Sequence, residues 1–376
     1  MPDKQSYETG QYPAGQHPAL PAPFRTGGAI LWMQKNLFAS PGSVVATLIA
    51  FYILYRTVPG MLEWGLFDAA FTGNDRNECR AQGAGACWAF IGERYNLFTY
   101  GFYPAAERWR VNLSFLLLIV SCAALLWENC PFRKPLIWFA AAFPFVAAWL
   151  LIGGFGGLKF VSTDLFGGFM LTLVIGVTGI AFSLPIGILL ALGRQSKLPI
   201  IKYSCIFFIE FFRGVPLITL LFVASTMLSY FLPPGTTFNL LLRVLIMVTL
   251  FASAYMAEVV RGGLQAIPKG QTEAADAMGL KYWQSMRLIV LPQALKISIP
   301  AIVNTFIGLY KDSVLVIVIG LLDPLGIGRA SLADTKWNGL TNEVYLFVAL
   351  FFFISCFAMA RYSLYLENKL HTGHKR

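Results

Sequence analysis

The sequence is short of charged residues. Asp, Glu, Lys and Arg make up 13% of its 376 residues, whereas 57% are hydrophobic. An average soluble domain carries about 25% charged residues, so this chain has too few to cover a water-facing surface. The scarcity argues against an ordinary soluble protein, and the long apolar runs predict one membrane domain in place of two soluble ones.

Residues typical of catalytic and metal sites are also scarce. The chain has three histidines, all of them in polar tails, which argues against a catalytic triad or a metal centre. No Gly-x-x-x-x-Gly-Lys-Ser/Thr motif is present, and the glycine-rich run 153–157 lacks the lysine that would reach a phosphate. We therefore expect no metal, no cofactor and no covalent chemistry in this chain.

Cysteine is too sparse for a disulfide framework, because six cysteines are spread over the whole chain. Cys79 and Cys87 differ from the others, since they flank a small Gly/Ala segment in a polar loop. If that loop is periplasmic, a disulfide between them is expected.

Long apolar runs are what the sequence has in place of charge. A bilayer core about 30 Å thick needs about 20 mostly apolar residues in a helix. Every span must be helical, because the hydrocarbon holds no water to bind stray backbone groups. The sequence therefore predicts an all-α, polytopic transmembrane bundle. About eight spans are expected, at 44–64, 112–127, 136–152, 168–192, 206–232, 240–260, 297–322 and 344–365.

Basic residues predict the orientation of these spans. The net charge of +10 lies in short clusters beside apolar runs and not on one face, so no nucleic-acid partner is expected. Lys and Arg accumulate in cytoplasmic loops, and the clusters at 133–134, 194–202, 261–296 and 369–376 all fall on one side. Both termini are therefore predicted to be cytoplasmic, and the loop 68–110 is the largest predicted periplasmic feature.

The polar stretch between the sixth and seventh spans is too long for a simple turn. Thr272 is a good N-cap for a short helix there, and Glu273 and Asp276 suit the positive end of its dipole. Gly279 is expected to end or bend this helix, and Pro292 to interrupt the helix of the next span. A short surface helix between two bends suits docking on a cytoplasmic partner, although many interfacial helices have no such role.

The spacing in this stretch matches a known motif. Glu273-Ala274-Ala275, three residues, Gly279, nine residues, Ile, one residue and Leu291-Pro292 resemble the coupling-loop signature of ATP-binding-cassette (ABC) importer permeases without a mismatch. The resemblance covers about half of the chain and implies the type I importer permease fold. It also implies that 272–279 docks on a separate nucleotide-binding subunit, which would hold the ATP and Mg²⁺ that this chain does not bind.

Further segments narrow the resemblance. Glu210-Phe-Phe-Arg213-Gly-Val-Pro and Tyr310-Lys311-Asp312-Ser313 are similar to permeases of polar amino acids, the histidine, glutamine and arginine group. The N-terminal extension and the 79–87 loop resemble the M-type subunit of the proteobacterial general L-amino-acid system. This implies a bacterial inner-membrane importer with these partners: a related permease in a heterodimer, two nucleotide-binding ATPase subunits, a periplasmic amino-acid-binding protein and an L-amino-acid substrate.

The chain then divides into four parts. These are a cytoplasmic tail with an interfacial segment (1–43), additional spans with the periplasmic loop (44–167), the core permease domain (168–366) and a basic cytoplasmic tail (367–376).

Charged residues inside the predicted spans are candidate functional groups, because an ionised group near the bilayer centre costs at least about 2.5 kcal/mol. Lys311 and Asp312 fall near the middle of the seventh span, beside Ser313. Side by side, an ammonium and a carboxylate could recognise the two charged groups of an amino acid. The resemblance places them on the translocation path, and mutual neutralisation is the alternative.

Two further pairs are spaced three residues apart, which puts their members on one helix face. Glu210 and Arg213 precede a glycine and a proline that suggest a bend, and a pathway or gate role and a plain ion pair remain equally open. Glu258 and Arg261 lie at the inner end of the sixth span, where a structural pair is favoured over a gate.

The leading hypothesis is thus a permease subunit of an ATP-driven L-amino-acid importer, coupled to its ATPase through the loop 272–292. An ion-coupled secondary transporter is the alternative, with Asp312 as its candidate titrating acid, but paired repeats are not evident. A membrane enzyme would need a convergent cluster of His, Asp or Glu, and none is visible.

Overall fold

Helices account for nearly all regular structure in the computed structural model, which describes residues 28–83, 85–127, 129–227, 230, 233 and 238–370. Within those residues, the pairing outside helices is an isolated parallel bridge between Ala70 and Cys87. The all-α prediction is confirmed. The predictions for the two tails fall partly on 1–27 and 371–376, which lie outside the described residues.

Seven helices of the described chain are long and apolar enough to cross a bilayer, and one bent pair makes up to eight, as predicted. The helices are α1 (Ala29–Asn36), α2 (Pro41–Leu62), α3 (Arg76–Gln82), α4 (Ala89–Tyr100), α5 (Arg108–Leu126), α6 (Arg133–Ile152), α7 (Gly168–Arg194), α8 (Pro199–Gly214), α9 (Leu217–Phe222), α10 (Leu240–Gln265), α11 (Lys269–Ala277), α12 (Tyr282–Ser285), α13 (Leu291–Asp312), α14 (Pro324–Ser331) and α15 (Thr341–Leu370). Four of them continue into other helical turns: π-helix after α2 (Glu63–Phe67), α9 (Val223–Met227) and α12 (Met286–Val290), and 3₁₀-helix after α13 (Ser313–Ile319).

Contacts divide the chain into two units, and the first ends at Ala69. Its long helix α2 starts at a capping box, in which Ser43 N–H donates to Ser40 Oγ (3.2 Å) and Ser40 N–H donates to Ser43 Oγ (2.8 Å). Pro41 follows in the first turn, where its missing N–H costs nothing. None of the residues of α2 is buried, as expected of a span whose apolar side chains face lipid or another protein.

The second unit, from Ala70 onward, is built around α7 and α10. These helices approach closely because small residues lie between them. A Cβ atom at Gly187 of α7 would come within 2.7 Å of the Cβ of Met256 on α10. Without a hydrophobic driving force between helices in lipid, such small-residue contacts supply the packing.

Helices α5 and α6 pack onto this centre instead of standing apart from it. Val111 of α5 and Leu151 of α6 share one buried cluster with Met170 of α7 and Val244 of α10. The buried hydroxyl of Tyr103, just before α5, donates to the carbonyl oxygen of Leu151 at 2.8 Å. The second and third spans are therefore part of the same packed unit as the spans that follow.

Helices α3 and α4 form a small lobe against the start of the last span. Phe90 and Phe98 of α4 are fully buried with Trp337 and Val344. The N–H of Cys87 donates to Oε1 of Glu343 at 3.2 Å, so the loop 68–110 is joined to the chain's C-terminal part.

Candidate functional site

Five charged side chains from α7, α8 and α10 meet in one place, which we call the charged network. Glu258 lies at its centre and pairs with Arg194 (2.7 Å) and Arg261 (2.8 Å), with Arg213 further off at 3.9 Å. Arg194 also pairs with Glu210 at 3.0 Å. Three arginines against two glutamates leave the network with one net positive charge.

The network forms toward the C-terminal ends of three helices. Arg194 is the last residue of α7, and Arg213 lies in the last turn of α8. Cations are favoured there because the helix C-terminus carries the negative end of its dipole. Glu258 and Arg261 lie one turn apart in the last third of α10, so Glu258 faces three guanidinium groups at once.

Of the two sets spaced three residues apart, one forms a pair and the other, for which a pair and a pathway role were both open, does not. Glu258 and Arg261 do pair, with Arg261 Nε donating to Oε2 at 2.9 Å. Glu210 and Arg213 do not pair with each other, although they are three residues apart on α8. Their partners lie on other helices. Glu210 forms an ion pair with Arg194 of α7. Arg213 forms one with Glu258 of α10 and a cation–π contact with the ring of Tyr255 on the same helix.

The bend predicted after Arg213 is present and sharp. Helix α8 ends at Gly214, Val215 is extended, and α9 begins at Leu217 after Pro216, with an angle of 101° between the two helices. The span predicted at 206–232 is thus a bent pair of helices, with the break at the expected Gly and Pro. Proline disfavours a helical residue before it, so the chain leaves the helix at Val215.

Helix α11 is the short polar helix predicted between the sixth and seventh spans. Of its nine residues, eight are exposed and only Ala275 is buried. Two bonds close its C-terminal end, from Gly279 N–H to Asp276 O (2.9 Å) and from Leu280 N–H to Ala275 O (3.1 Å). This is a Schellman motif, and it needs the left-handed backbone that Gly279 adopts (φ 73°).

The two other predicted boundaries of this loop are wrong. Thr272 is not an N-cap, because α11 begins three residues earlier at Lys269, with Pro268 as its N-cap. Pro292 does not interrupt the helix of the next span, because it lies in the first turn of α13. The π-helical turn ends in front of it, with Leu291 N–H bonded to Met286 O. Helical backbone therefore continues from α12 through this point.

Helix α11 is held against α13, the helix of the next span. Nε2 of Gln293 on α13 donates both to Gln271 Oε1 (3.1 Å) and to Ile289 O (3.0 Å). Together with the buried Ala275, this contact holds α11 on α13. The carboxylates of Glu273 and Asp276 remain exposed and make no hydrogen bond or ion pair with any described residue.

Lys311, Asp312 and Ser313 lie at the junction where α13 gives way to 3₁₀-helix. The continuous helix that contains the seventh span is Tyr282–Ile319, and the trio lies in its last third. Their position near the middle of the bilayer stays a prediction. Lys311 is exposed, Asp312 is half-buried, and Ser313 is buried with its hydroxyl bonded to Tyr310 O at 2.7 Å. No ion pair within 4.0 Å joins Lys311 to Asp312 in the described structure.

The loop between the first two spans holds the one disulfide among the described residues, which joins Cys79 to Cys87. Near the same face, Arg94 of α4 pairs with Asp334. Arg76 N–H donates to Lys336 O at 2.9 Å. These contacts fix the lobe to the segment between α14 and α15.

Asp323 caps α14, and its carboxylate accepts hydrogen bonds from Gly326 N–H (2.9 Å) and Leu325 N–H (3.3 Å). The side chain is fully buried. Burial raises the pKa of Asp323 to about 6, in spite of those two donors and the positive charge of Arg329. This residue lies outside the membrane-spanning helices, in the turn before α14.

Sequence reasoning missed the role of Arg194 in the charged network, because its cluster was used only as a marker of sidedness. It also missed Arg110, which is 1% exposed. Arg110 pairs with Glu107 at 2.7 Å and donates to Lys159 O at 2.7 Å. The Glu107–Arg110 spacing of three residues was a usable signal, but nothing in the sequence locates Lys159 or Glu258 beside these arginines.

A family model and several relatives match this chain. A family model described as "Binding-protein-dependent transport system inner membrane component" matches residues 183–372. The chain is 47% identical over 359 residues to the inner membrane amino-acid ABC transporter permease protein YhdY of Escherichia coli (strain K12), covering 95% of this chain and 97% of that protein.

It is also 46% identical over 422 aligned positions to the glutamate/glutamine/aspartate/asparagine transport system permease protein BztC of Rhodobacter capsulatus, covering 94% of this chain and 96% of that protein. The probable amino-acid ABC transporter permease protein YckA of Bacillus subtilis is 32% identical over 198 residues, which is 53% of this chain and 85% of that protein.

Proposed function

This chain belongs to the family of binding-protein-dependent transport system inner membrane components, and from that membership we propose how its exposed helix α11 and its charged network serve amino-acid import. The chain is a membrane permease subunit of an ABC importer. YhdY and BztC are both named as amino-acid permeases, and we assign an L-amino acid as the substrate here. The ion-coupled alternative has no support from these relatives.

The exposure of α11 is the observation that carries the proposal. A nine-residue helix with eight exposed residues has little reason to keep its shape alone, because isolated helices of this length are marginal in water. Here Ala275, the Gln271–Gln293 contact and the Schellman motif preserve it. We assign α11 to docking in a groove of a separate ATPase subunit, which holds the ATP and Mg²⁺.

The proposed docking site uses Thr272, Glu273, Ala274, Asp276 and Gly279, all of them exposed. Two free carboxylates on one short helix favour a basic groove as the partner surface. Leu291 and Pro292 are the last two residues of the motif, and α13 starts with them. We assign them to support of α11, because the first turn of α13 also carries Gln293, which contacts Gln271 of α11.

The charged network is proposed to work as an inner latch between spans. It joins the ends of α7 and α8 to α10, and α10 runs on from Arg261 to Gln265, four residues before α11 begins at Lys269. A displacement of α11 would therefore be transmitted to Glu258 through one short turn and the end of α10. ATP binding could shift the permease between two states only if contacts differ between them, and the ion pairs of Glu258 are suited to that change.

The substrate route is proposed to pass Lys311 and Asp312. Lys311 is exposed and not bound to Asp312, so both groups are free to meet the carboxylate and the ammonium of an amino acid. Arg213, with its cation–π contact to Tyr255 at 5.6 Å, is proposed to line the same route where α8 bends into α9.

The assembly is proposed to hold this chain and a related permease, two ATPase subunits and a periplasmic amino-acid-binding protein, in a bacterial inner membrane. Both termini are placed in the cytoplasm, which puts α11 and the charged network on the ATPase side. The disulfide lobe then lies in the periplasm, where the bond can persist.

ATP-driven uptake by the complete complex in proteoliposomes tests this proposal. Labelled glutamate, arginine and leucine would be compared for wild type, Glu273→Ala, Asp312→Asn and the control Glu93→Ala, which removes an exposed carboxylate from α4. We expect Glu273→Ala to lose uptake per ATP hydrolysed, Asp312→Asn to change substrate preference or KM, and Glu93→Ala to match wild type.

Equal coupling in Glu273→Ala and Glu93→Ala would refute the docking role of α11. Normal transport of all three substrates by Asp312→Asn would refute the pathway role of Asp312.

A further inference from the structure

A cavity of about 280 Å³ lies among α5, α6, α7 and α10, away from the charged network and α11. Its walls are apolar except for Ser114 and Thr178, and all but one of the lining residues belong to membrane-spanning helices. The wall includes Ser114, Phe145, Ala147, Ile152 and Leu242. The volume is near the lower end of the range for small-molecule sites, about 300–1,000 Å³.

The cavity opens toward the lipid side of the bundle. Phe145 and Leu242, on two of its walls, are 65% and 44% exposed. Both belong to helices long and apolar enough to cross a bilayer, and we take the medium beyond them to be lipid hydrocarbon. An apolar space of this kind does not take up water, because it offers too few polar partners to a water molecule.

The end of α6 marks the level of the membrane surface beside this cavity. Trp149, Phe155 and Phe160 are exposed there, and Trp149 Nε1 donates to Phe155 O at 3.4 Å. Trp and Tyr side chains are enriched at the headgroup level, so Trp149 marks that level here. Lys159 is exposed in the same loop and makes no ion pair with any described residue, so its ammonium is available to an anionic headgroup.

Ser114 supplies a third feature. It lines the cavity, it is 5% exposed, and its hydroxyl has no hydrogen-bond partner among the described residues. A buried polar group left unpaired is costly, so it indicates a missing acceptor. Ser114 lies six residues into α5, which begins at Arg108, a depth of about 9 Å at 1.5 Å per residue.

We propose that one acyl chain of an anionic phospholipid occupies this cavity, with the Ser114 hydroxyl donating to its ester carbonyl and the Lys159 ammonium meeting its phosphate. The lipid joins α5 and α6 to α7 and α10, because each helix supplies part of the wall. The apolar cavity matches the acyl chain, the buried Ser114 hydroxyl matches the ester carbonyl, and the exposed Lys159 ammonium matches the phosphate.

Photolabelling of the assembled complex tests this proposal. The complex would be reconstituted in phosphatidylglycerol vesicles that contain a small share of phosphatidylglycerol with a diazirine on one acyl chain. After irradiation and digestion, we expect label on peptides from the facing walls, including 143–152 and 241–245.

Matched variants separate the site from general lipid contact. Ala147→Phe fills the cavity and should lower wall labelling about tenfold, the effect of excluding about two methylene groups. Ala141→Phe, on the same helix but outside the lining and exposed, should leave it unchanged. Ser114→Ala should lower labelling about two- to tenfold, whereas Ser121→Ala should not, because that hydroxyl is already bonded to Leu117 O at 2.8 Å.

Lys159→Gln should lower labelling by phosphatidylglycerol severalfold at low salt. Equal labelling in Ala147→Phe and Ala141→Phe would overturn the proposal, since it would mean contact with bulk lipid only. Crosslinks from the wall residues to the partner permease in place of lipid would also overturn it. Transport by each variant, measured in parallel, confirms that the complex is folded.

Discussion

Replacing Glu258 by Gln should weaken the charged network more than any other single change of one charge. The Glu258 side chain is 16% exposed and faces three arginines, at 2.7, 2.8 and 3.9 Å. Removing one partner of a buried pair costs about 3–5 kcal/mol, and a surface pair about 0–1 kcal/mol. For this partly buried group we expect about 2 kcal/mol, which is roughly thirtyfold in the latch equilibrium.

Glu210→Gln is the matched control, because it makes the same chemical change in the same network. Its side chain is 54% exposed and forms one ion pair within 4.0 Å among the described residues, with Arg194 at 3.0 Å, so we expect about 0.5 kcal/mol or less. The assay is ATP hydrolysis by the reconstituted complex with and without binding protein, alongside uptake. Glu258→Gln should raise hydrolysis in the absence of binding protein and lower uptake per ATP.

Equal behaviour of the two variants would refute the reasoning, because it would mean that the contacts of Glu258 do not change between states. A purely structural loss would be seen differently, as a lower unfolding temperature of Glu258→Gln with unchanged uptake per ATP in the folded fraction.

Three further predictions concern other parts of the chain. Gly279→Ala should destabilise the end of α11 by about 1 kcal/mol and speed amide hydrogen exchange at 269–280, whereas Gly270→Ala, in open space within the helix, should slow it; the reverse order would contradict the Schellman assignment. Because burial raises the folded pKa of Asp323 to about 6, its contribution to stability should be present near pH 4 and lost as the pH rises to about 6. The loss should be at most about 3 kcal/mol. Asp323→Asn should lack this pH dependence in thermal unfolding, and a wild-type slope of opposite sign would contradict the prediction. A reductant should lower the unfolding temperature of wild type, by the equivalent of about 2–3 kcal/mol, but not that of the Cys79→Ser/Cys87→Ser double variant; equal shifts would place the effect elsewhere.

The spans could be predicted from the sequence because their signal is local. A run of about 20 apolar residues must form a helix in a bilayer wherever its neighbours lie. The break at Gly214–Pro216 was visible for the same reason, since proline restricts the residue before it. Its 101° angle was not visible, because an angle depends on what each arm packs against.

The site could be predicted only in part because its contacts are distant in sequence. Arg194 and Glu258 are 64 residues apart, and no pattern in either segment points to the other. The spacing rule for helices indicated the Glu258–Arg261 pair, but it could not decide between a pair and another role for Glu210 and Arg213. Glu210 pairs instead with Arg194 on another helix, since tertiary contacts compete with those along one helix. The start of α11 was misplaced because Thr272 is a good cap in isolation, while Pro268 already opens the helix.

The lobe of α3 and α4 has a consequence for the order of synthesis. The backbone N–H of Cys87 donates a hydrogen bond to Glu343, which is 256 residues later in the chain. At about 5–20 residues per second, a ribosome needs roughly 13–50 s to cover that distance. During this interval Phe90 and Phe98 have no Trp337 or Val344 to cover them. The disulfide closes only eight residues and needs nothing made later, so it can restrict the lobe while the rest of the permease is still being translated.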